Sequence, residues 1–439
     1  MKLLRALALS LPLVALTTLH APDAEACGAC LIQQGESTQV TSHRMILSVS
    51  NVSTTLWDQI AYAGEPSSFA WVLPIKGQVE VGLSSDALFE NLEGLTSVQI
   101  SSPTINCPPP NCPSAPNAGG PVGSDTGGGD VSVIAQAVVG PYDTVQLSSQ
   151  DPSALKNWLT KNGYAIPQDL APVIDAYVKE GFDFLALKLV PGQGIDSMRP
   201  VRVTSPGASP TLPLRMVAGG TGATTPITLF IFGEGRYEPT NFTSFVIEPH
   251  ELVWDWDTQS SNYKDLRQAR FEASAGKAWL VERSGQFSKW DLEYPLNSLV
   301  DFDPTNSGYG DPVGTDAKDN LNDDLSALFG TIPEQSLWVT RIYGELSRAG
   351  LVSDLSLGAS ANQTEVSRWL QAQKAVGTPP PCPVPFPCSS DGDPSNPEDG
   401  DWQPRESCAM GGPAGVPATL GLVVAAGALA FVRRRRRRG

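Results

Sequence analysis

Between about residues 38 and 76, apolar and polar side chains alternate and β-branched and aromatic residues are enriched. The segments "SHRMILSVSN", "TTLWDQIAYAG" and "SSFAWVLPI" predict three successive strands arranged as a meander. The period then changes. "SSDALFENLEG" has a Ser cap, Asp86 in its first turn and Gly94 as a stop, which predicts a short helix. Further on, "FDFLALKLVP", "RPVRVTS", "TLPLRMVAG", "PITLFIFGEG", "FTSFVIE", "KAWLVERSG" and "SLWVTRIYGEL" carry the strand pattern. Helical spacing returns in "DPSALKNWLTKNGY", where Asp151 is a cap, Pro152 takes the first helical position and Gly163 closes the helix. It returns again in "PQDLAPVIDAYVKEG", with Leu170, Val173, Ile174, Tyr177 and Val178 on one face, and near "SNYKDLRQARFEASAG". No fixed period of 20 to 50 residues repeats, which disfavours solenoids and propellers. The pattern as a whole predicts an α+β fold, predominantly antiparallel β-sheet with a helical insertion.

Two stretches break the pattern. Residues 101–130 are almost wholly Pro, Gly, Asn and Ser, a solvated insertion; residues 356–407 form a Pro- and Asp-rich stalk, densest from about 376. The expected organisation is a leader over 1–26, one exported domain over 27–355 interrupted by 101–130, the stalk, and a tail over 408–439.

Both termini read as membrane-routing devices. Lys2 and Arg5 precede the apolar "ALALSLPLVAL", and Ala24-Glu25-Ala26 offers a small-x-small cleavage pattern, so the leader is a signal peptide cut after Ala26. Cys27 would then be the first mature residue, which raises a lipoprotein reading; Glu25 argues against it. At the other end, Val416–Val432 is free of charge and would span roughly 25 Å as a helix. Arg433–Arg438 follow at once and stay on the cytoplasmic side. The bulk of the chain is therefore expected outside the cytoplasm, in the cell envelope or on the outer surface, with the membrane contacted through the C-terminal helix.

Charge sharpens this picture. The whole chain carries −16; without Lys2, Arg5, Asp23, Glu25 and the six tail arginines, 22 basic residues face 44 acidic ones, a net charge near −22. Such a surface opposes nucleic acid and anionic lipid as partners and favours solubility and cations. The seven cysteines divide into local couples Cys27/Cys30, Cys107/Cys112 and Cys382/Cys388, with Cys408 left for the tail. In an exported protein, structural disulfides are the simplest expectation, although six cysteines allow 15 pairings. "CGAC" also has thioredoxin-like spacing, but it does not sit at a strand-to-helix junction.

Two resemblances add to this reading. Cys408, "GGPAGVP", the apolar run and the arginine block together resemble the C-terminal sorting signal of myxobacterial surface proteins. That resemblance implies a tail-processing membrane protease as a partner and Cys408 as the processed, lipid-carrying residue. The segments "SSFAWVLPIKGQVEVGLSSDALF", "VGPYDTVQLSSQDPSALKNWLTKNGYAIP", "FLALKLVPGQGIDSMRPVRVT" and "LWVTRIYGEL" resemble the bacterial family called domain of unknown function 2330. It implies an exported setting and a domain spanning most of residues 27–355, and it supplies no activity, cofactor or catalytic residue.

Candidate chemistry is sparse. Once the leader is gone, His43 and His250 are the remaining histidines; no G-x-S-x-G elbow and no His-x-x-x-His pair accompanies them, so both read as surface or capping residues. Asp301, Asp303 and Asp311, in "DFDPTNSGYGDPVGTDAKDNLNDD", supply hard oxygens that suit calcium, although the spacing departs from an EF-hand. The acidic "DGDPSNPEDGD" of the stalk reads as solvated charge. In "LVWDWDTQSSNY", Trp254 and Trp256 would share one face of a strand, either as core or as an exposed platform for stacking a sugar. Glycine-rich "GGTGATTP" lacks the Lys and following helix of a phosphate loop and reads as a turn. These features point to a non-catalytic binding or structural ectodomain on the cell surface. The alternative is an exported hydrolase working on glycans or peptides through carboxylates alone.

Overall fold

The computed structural model describes residues 30–32, 39–63, 69–107, 138–147, 152–161, 166, 168, 170–189, 198–217, 223–310 and 317–382. The chain divides into two compact units, Met1–Asn106 with Gly123–Cys382 and Cys107–Val122 with Pro383–Gly439. Every described strand and helix belongs to the first.

An eight-stranded sheet forms its centre. In spatial order the strands are Thr243–Phe245, Ala278–Gln286, Leu337–Ser347, Thr224–Glu234, Gln39–Val49, Ser53–Ala63, Val201–Pro206 and Glu80–Leu83. All neighbours are antiparallel except Thr224–Glu234 against Gln39–Val49 and Thr243–Phe245 against Ala278–Gln286. Strand alternation explains how both faces become apolar. Ile46, Phe230, Phe232 and Val339 point to one side with Trp57, while Met45, Leu47, Leu229, Ile231 and Ile342 point to the other. Three helices cover the first face: Asp86–Thr96, Lys289–Phe302 and Ala317–Phe329, through Leu88, Phe89, Leu92, Leu292, Leu296, Leu321, Leu325 and Leu328. Each such side chain taken out of water contributes about 1.5–3 kcal/mol, so this layer is a main source of stability. On the second face Trp279 lies fully buried over Gly344, where a Cβ would come within 3.1–3.3 Å of the indole. Glycine is needed there to let the ring down onto the sheet.

A five-stranded sheet packs beside the large one, in the order Cys30–Ile32, Phe69–Ile75, Asp183–Leu189, Tyr142–Leu147 and Val138–Val139. One face, with Trp71, Leu73, Leu185 and Leu187, meets Val201, Val203 and Leu83 of the large sheet. Its other face, with Val72, Phe184 and Ala186, is covered by helices Pro152–Lys161 and Leu170–Lys179 through Leu155, Leu159, Ile174 and Tyr177.

The mixed, mostly sheet α+β class holds. The expected meander does not: the first two strands form a hairpin in the large sheet, and Phe69–Ile75 crosses to the smaller one. "TLPLRMVAG" is a two-residue strand, Thr211–Leu212, followed by a helical turn at Leu214–Val217 rather than one long strand. The folded body also runs past residue 355. Strands Leu355–Ala359, Trp369–Gln371 and Lys374–Val376 pair within small sheets, and Leu370 and Ala372 fill a satellite core with Phe271 and Leu280. Among the described residues no helix is long and apolar enough to cross a membrane. The leader, the 108–130 part of the Pro/Gly insertion, the stalk from 383 and the tail lie outside the described residues.

Candidate functional site

The hydrogen-bonded ladder between Ser53–Ala63 and Val201–Pro206 ends at the pair Asp58–Val201. Beyond it, Gln59, Ile60 and Ala61 line a cleft of about 430 Å³ between the two sheets. Residues 198–200 hold the far wall. Tyr142 fixes them by donating its hydroxyl to the Arg199 carbonyl (2.8 Å) and accepting from the Arg199 amide (2.9 Å). The Ser84 amide donates to the Pro200 carbonyl at 2.9 Å. The Arg199 guanidinium donates in turn to the carbonyls of Ser84 (3.2 Å) and Gly310 (3.1 Å). A buried phenol that is both donor and acceptor to one backbone segment leaves that wall little freedom.

Polar residues form a row along the mouth. Arg44 Nε donates to Gln59 Oε1 at 2.6 Å and its Nη2 to Glu90 Oε1 at 2.5 Å, while Gln59 Nε2 donates to Asp86 Oδ1 at 2.5 Å. Asp86 and Glu90 stand one turn apart at the start of helix Asp86–Thr96, whose N-terminus favours negative charge. The apolar side is made by Ile60, Trp71, Leu187 and Met198.

Asp58 reaches the cleft from below, and behind it lies His43. The two are hydrogen bonded, Nδ1 to Oδ1 at 3.1 Å, with side chains 0% and 3% exposed. This corrects the surface-or-capping reading of His43: adjacent strands of the hairpin bring a histidine and a carboxylate fifteen positions apart together inside the fold. His250 is exposed, at a single 3₁₀ turn.

A second cluster lies on the other side of the same strand. Asp324, fully buried on helix Ala317–Phe329, accepts from Trp57 Nε1 (2.9 Å), Arg202 Nη1 (2.8 Å) and the Ser84 hydroxyl. Burial holds the Asp324 carboxyl above its ordinary value, and the Arg202 charge with the donors from Ser84 and Trp57 offsets only part of that rise. A third cluster centres on Arg341, which donates to Glu282 Oε2 (2.5 Å) and, in a fork, to Glu93 (2.7 and 2.9 Å). Neither was legible as a site in the sequence, because each joins residues far apart in the chain. Asp324, Arg341 and Glu282 are buried by packing, with Glu93 at the surface end of its cluster, and both clusters act as internal braces.

The residues singled out from the sequence are not brought together. Asp301 pairs with Lys318 at 2.7 Å, while Asp303 is held by the Asn306 amide and side chain, which lower its pKa; Asp311 lies outside the described residues. Among the described residues no three His, Cys, Asp or Glu side chains converge as metal ligands. Trp254 and Trp256 are half-buried and meet edge to face, centroids 6.3 Å apart at 71°, with Trp254 packed on the satellite core. That geometry offers no flat two-ring surface. Cys107 and Cys382 are both in disulfides. Cys30 opens a strand opposite Trp71, while Ala26, Cys27, Cys112, Cys388 and Cys408 lie outside the described residues.

Of the comparisons with known proteins, the family model is the one that places the chain. The family model for an uncharacterized protein conserved in bacteria, domain of unknown function 2330, matches residues 21–292. No curated protein matches the chain. Among solved structures, the crystal structure of baculovirus P35 is similar at 13% identity, covering 47% of this chain and 67% of that one with a TM-score of 0.25; a likeness of that size carries no weight here.

Proposed function

The chain belongs to this family of uncharacterized bacterial proteins, and we propose on that premise that it is an exported, surface-anchored binding protein that acts through the cleft between its two sheets without chemistry of its own. The C-terminal apolar helix and arginine block would tether it, with processing at Cys408 by a membrane protease. The single observation carrying the binding reading is the row Arg44–Gln59–Asp86–Glu90 at an open cleft mouth. These side chains already satisfy one another, and they can exchange partners with a ligand at small net loss because water reaches them. A cleft of about 430 Å³ with an apolar wall and a few convergent polar groups suits a small ligand. Charges of both signs and a side-chain amide favour a neutral ligand rich in hydroxyl and amide groups, such as an N-acetylated amino-sugar, over a phosphate.

The hydrolase alternative has one supporting observation, Asp58 at the cleft floor with His43 behind it. One experiment separates the two. The full chain in detergent micelles is titrated with N-acetylated amino-sugar oligomers while both thermal stability and reducing ends are followed. Binding predicts a rise in Tm, no new reducing ends, and loss of the rise in Met198→Trp, which fills the cleft. Release of reducing ends that stops in Asp58→Asn would replace the binding reading with the hydrolase. No response in either channel removes this ligand class.

A further inference from the structure

The cleft does not end the space between the two sheets. Beyond Asp58 the same seam holds a cavity of about 20 Å³ and then one of about 160 Å³. Alternate residues of strand Ser53–Ala63 mark the order: Ile60 and Asp58 line the cleft, Asp58 and Leu56 the middle cavity, Leu56 and Thr54 the far one. The facing strand Phe69–Ile75 repeats it, with Trp71 on the cleft, Trp71 and Leu73 on the middle cavity, and Leu73 and Ile75 on the far one. Each cavity therefore shares a residue of both sheets with the next. At about 3.3 Å per residue, the path from Ile60 to Thr54 is about 20 Å long.

Its chemistry changes along the way. Polar side chains gather at the mouth of the cleft, whereas Met45, Leu56, Leu73, Leu212 and Met216 wall the middle cavity, and Asp58 is the one charged residue on it. A space of that size holds about one water, which needs two to four polar partners. These walls suit a methylene better. Leu56 is half-buried although its strand lies inside the large sheet, so apolar surface borders the path. The far cavity combines Ile75, Phe182 and Val203 with the exposed Lys76 and the hydroxyls of Ser205 and Ser209, as an opening to water does. At the junction with the cleft, Asp58 Oδ1 is hydrogen bonded to His43 at 3.1 Å, and Oδ2 has no partner among the described residues.

From this we propose that the ligand of the cleft carries an unbranched acyl chain: an amino-sugar whose nitrogen bears an amide-linked chain longer than acetyl. The inference rests on the binding reading above and adds the chain to it. The sugar occupies the wide cleft, the amide N–H donates to Asp58 Oδ2, and the chain passes Leu56 and Leu73 toward the far cavity. A constriction of about 20 Å³ admits one methylene abreast and stops a branched chain or a ring. Acetyl alone would leave the constriction unfilled, and its apolar walls would stay without partner atoms. The amide belongs at the junction because Asp58 accepts its N–H there and the walls beyond are apolar.

The test is calorimetric titration of the full chain with N-acetyl-, N-butanoyl- and N-hexanoylglucosamine, in micelles of a sterol-based detergent whose rigid rings cannot follow the path. Wild type should bind about fourfold more tightly for each added methylene that the constriction buries. Leu56→Trp plugs the middle cavity without touching the cleft, so the N-acetyl ligand should bind as before while the gain with chain length disappears. Thermal unfolding checks each variant, and Leu56→Phe, a smaller step, replaces one that does not fold. N-acetyl binding with no gain from the longer chains overturns the inference and leaves the amino-sugar reading standing. A gain of equal size in a folded Leu56→Trp or Leu56→Phe also overturns it, because the chain then lies elsewhere. No binding at any chain length removes the amino-sugar reading and this inference with it.

Discussion

Trp57 and Asp58 are consecutive residues whose side chains leave the strand Ser53–Ala63 toward opposite faces. Trp57 enters the helix-covered side and donates to Asp324, which no water reaches. Asp58 enters the side that borders the cleft. The two regions even share elements, since Ser84 donates to Asp324 while Asp86, two residues on, belongs to the row at the mouth. Three helices can follow the large sheet and seal it. Two twisted sheets meet along a line, and where the ladder ends at Asp58 and Val201 they part. Buried and sealed polar groups fix the fold, whereas polar groups at the parting remain available to a ligand.

The sealed side should be the more fragile to substitution. Asp324→Ala removes the acceptor shared by Trp57, Ser84 and Arg202 and leaves a guanidinium that is only 13% exposed with the exposed Asp323, at 3.2 Å, as its remaining carboxylate. Leaving one half of such a buried pair costs about 3–5 kcal/mol, so the urea midpoint should fall steeply with the slope unchanged. A loss below about 1 kcal/mol would show that the cluster is not a brace and would erase the contrast with the cleft.

The cleft row should tolerate a comparable deletion. Arg44 is 27% exposed and its partner Glu90 64%, so Arg44→Met keeps the aliphatic stem and loses only solvent-screened contacts. Stability is expected to change by less than about 1 kcal/mol, while any ligand-induced rise in Tm disappears. A large destabilisation would make the mouth part of the scaffold instead.

The sequence carried the sheet more openly than the site. Alternation in "HRMILSV" and "TLWDQI" identifies strands because both faces of that hairpin are filled by period two. It cannot say which sheet a strand joins, and so Phe69–Ile75 was expected beside its predecessors. Helix Lys289–Phe302 was hidden by Pro295, and Ala317–Phe329 by the run "DAKDNLNDD", whose carboxylates suggest a cation loop. The missed signal was spacing: Leu321, Asp324, Leu325 and Leu328 share one helical stripe, so one aspartate stood among core positions. The link between His43 and Asp58 depends on hairpin register, which local pattern leaves open.

A further cluster, centred on Arg215 and between these extremes in exposure, gives the smallest effect and a test with a definite sign. Arg215 forks onto Glu180 at 2.7 and 2.6 Å, bonds Asp354 at 2.7 Å, and lies 4.1 Å over the Tyr177 ring, fastening the helix Leu170–Lys179 to the body. The Arg215 hydrogen bonds hold the Glu180 carboxyl below its ordinary value of 4.5, outweighing the opposite pull of burial. A carboxylate with a depressed folded pKa stabilises the fold above its unfolded pKa and loses that contribution as pH falls through the folded one. Wild type should therefore exceed Glu180→Gln in Tm at about pH 6, and the gap should close toward about pH 3 as Glu180 protonates. Glu180 is 46% exposed, so the full gap stays within about 1 kcal/mol. A gap that widened on acidification would reverse the sign and mean that Glu180 is held protonated, with Asp354 alone closing the clasp.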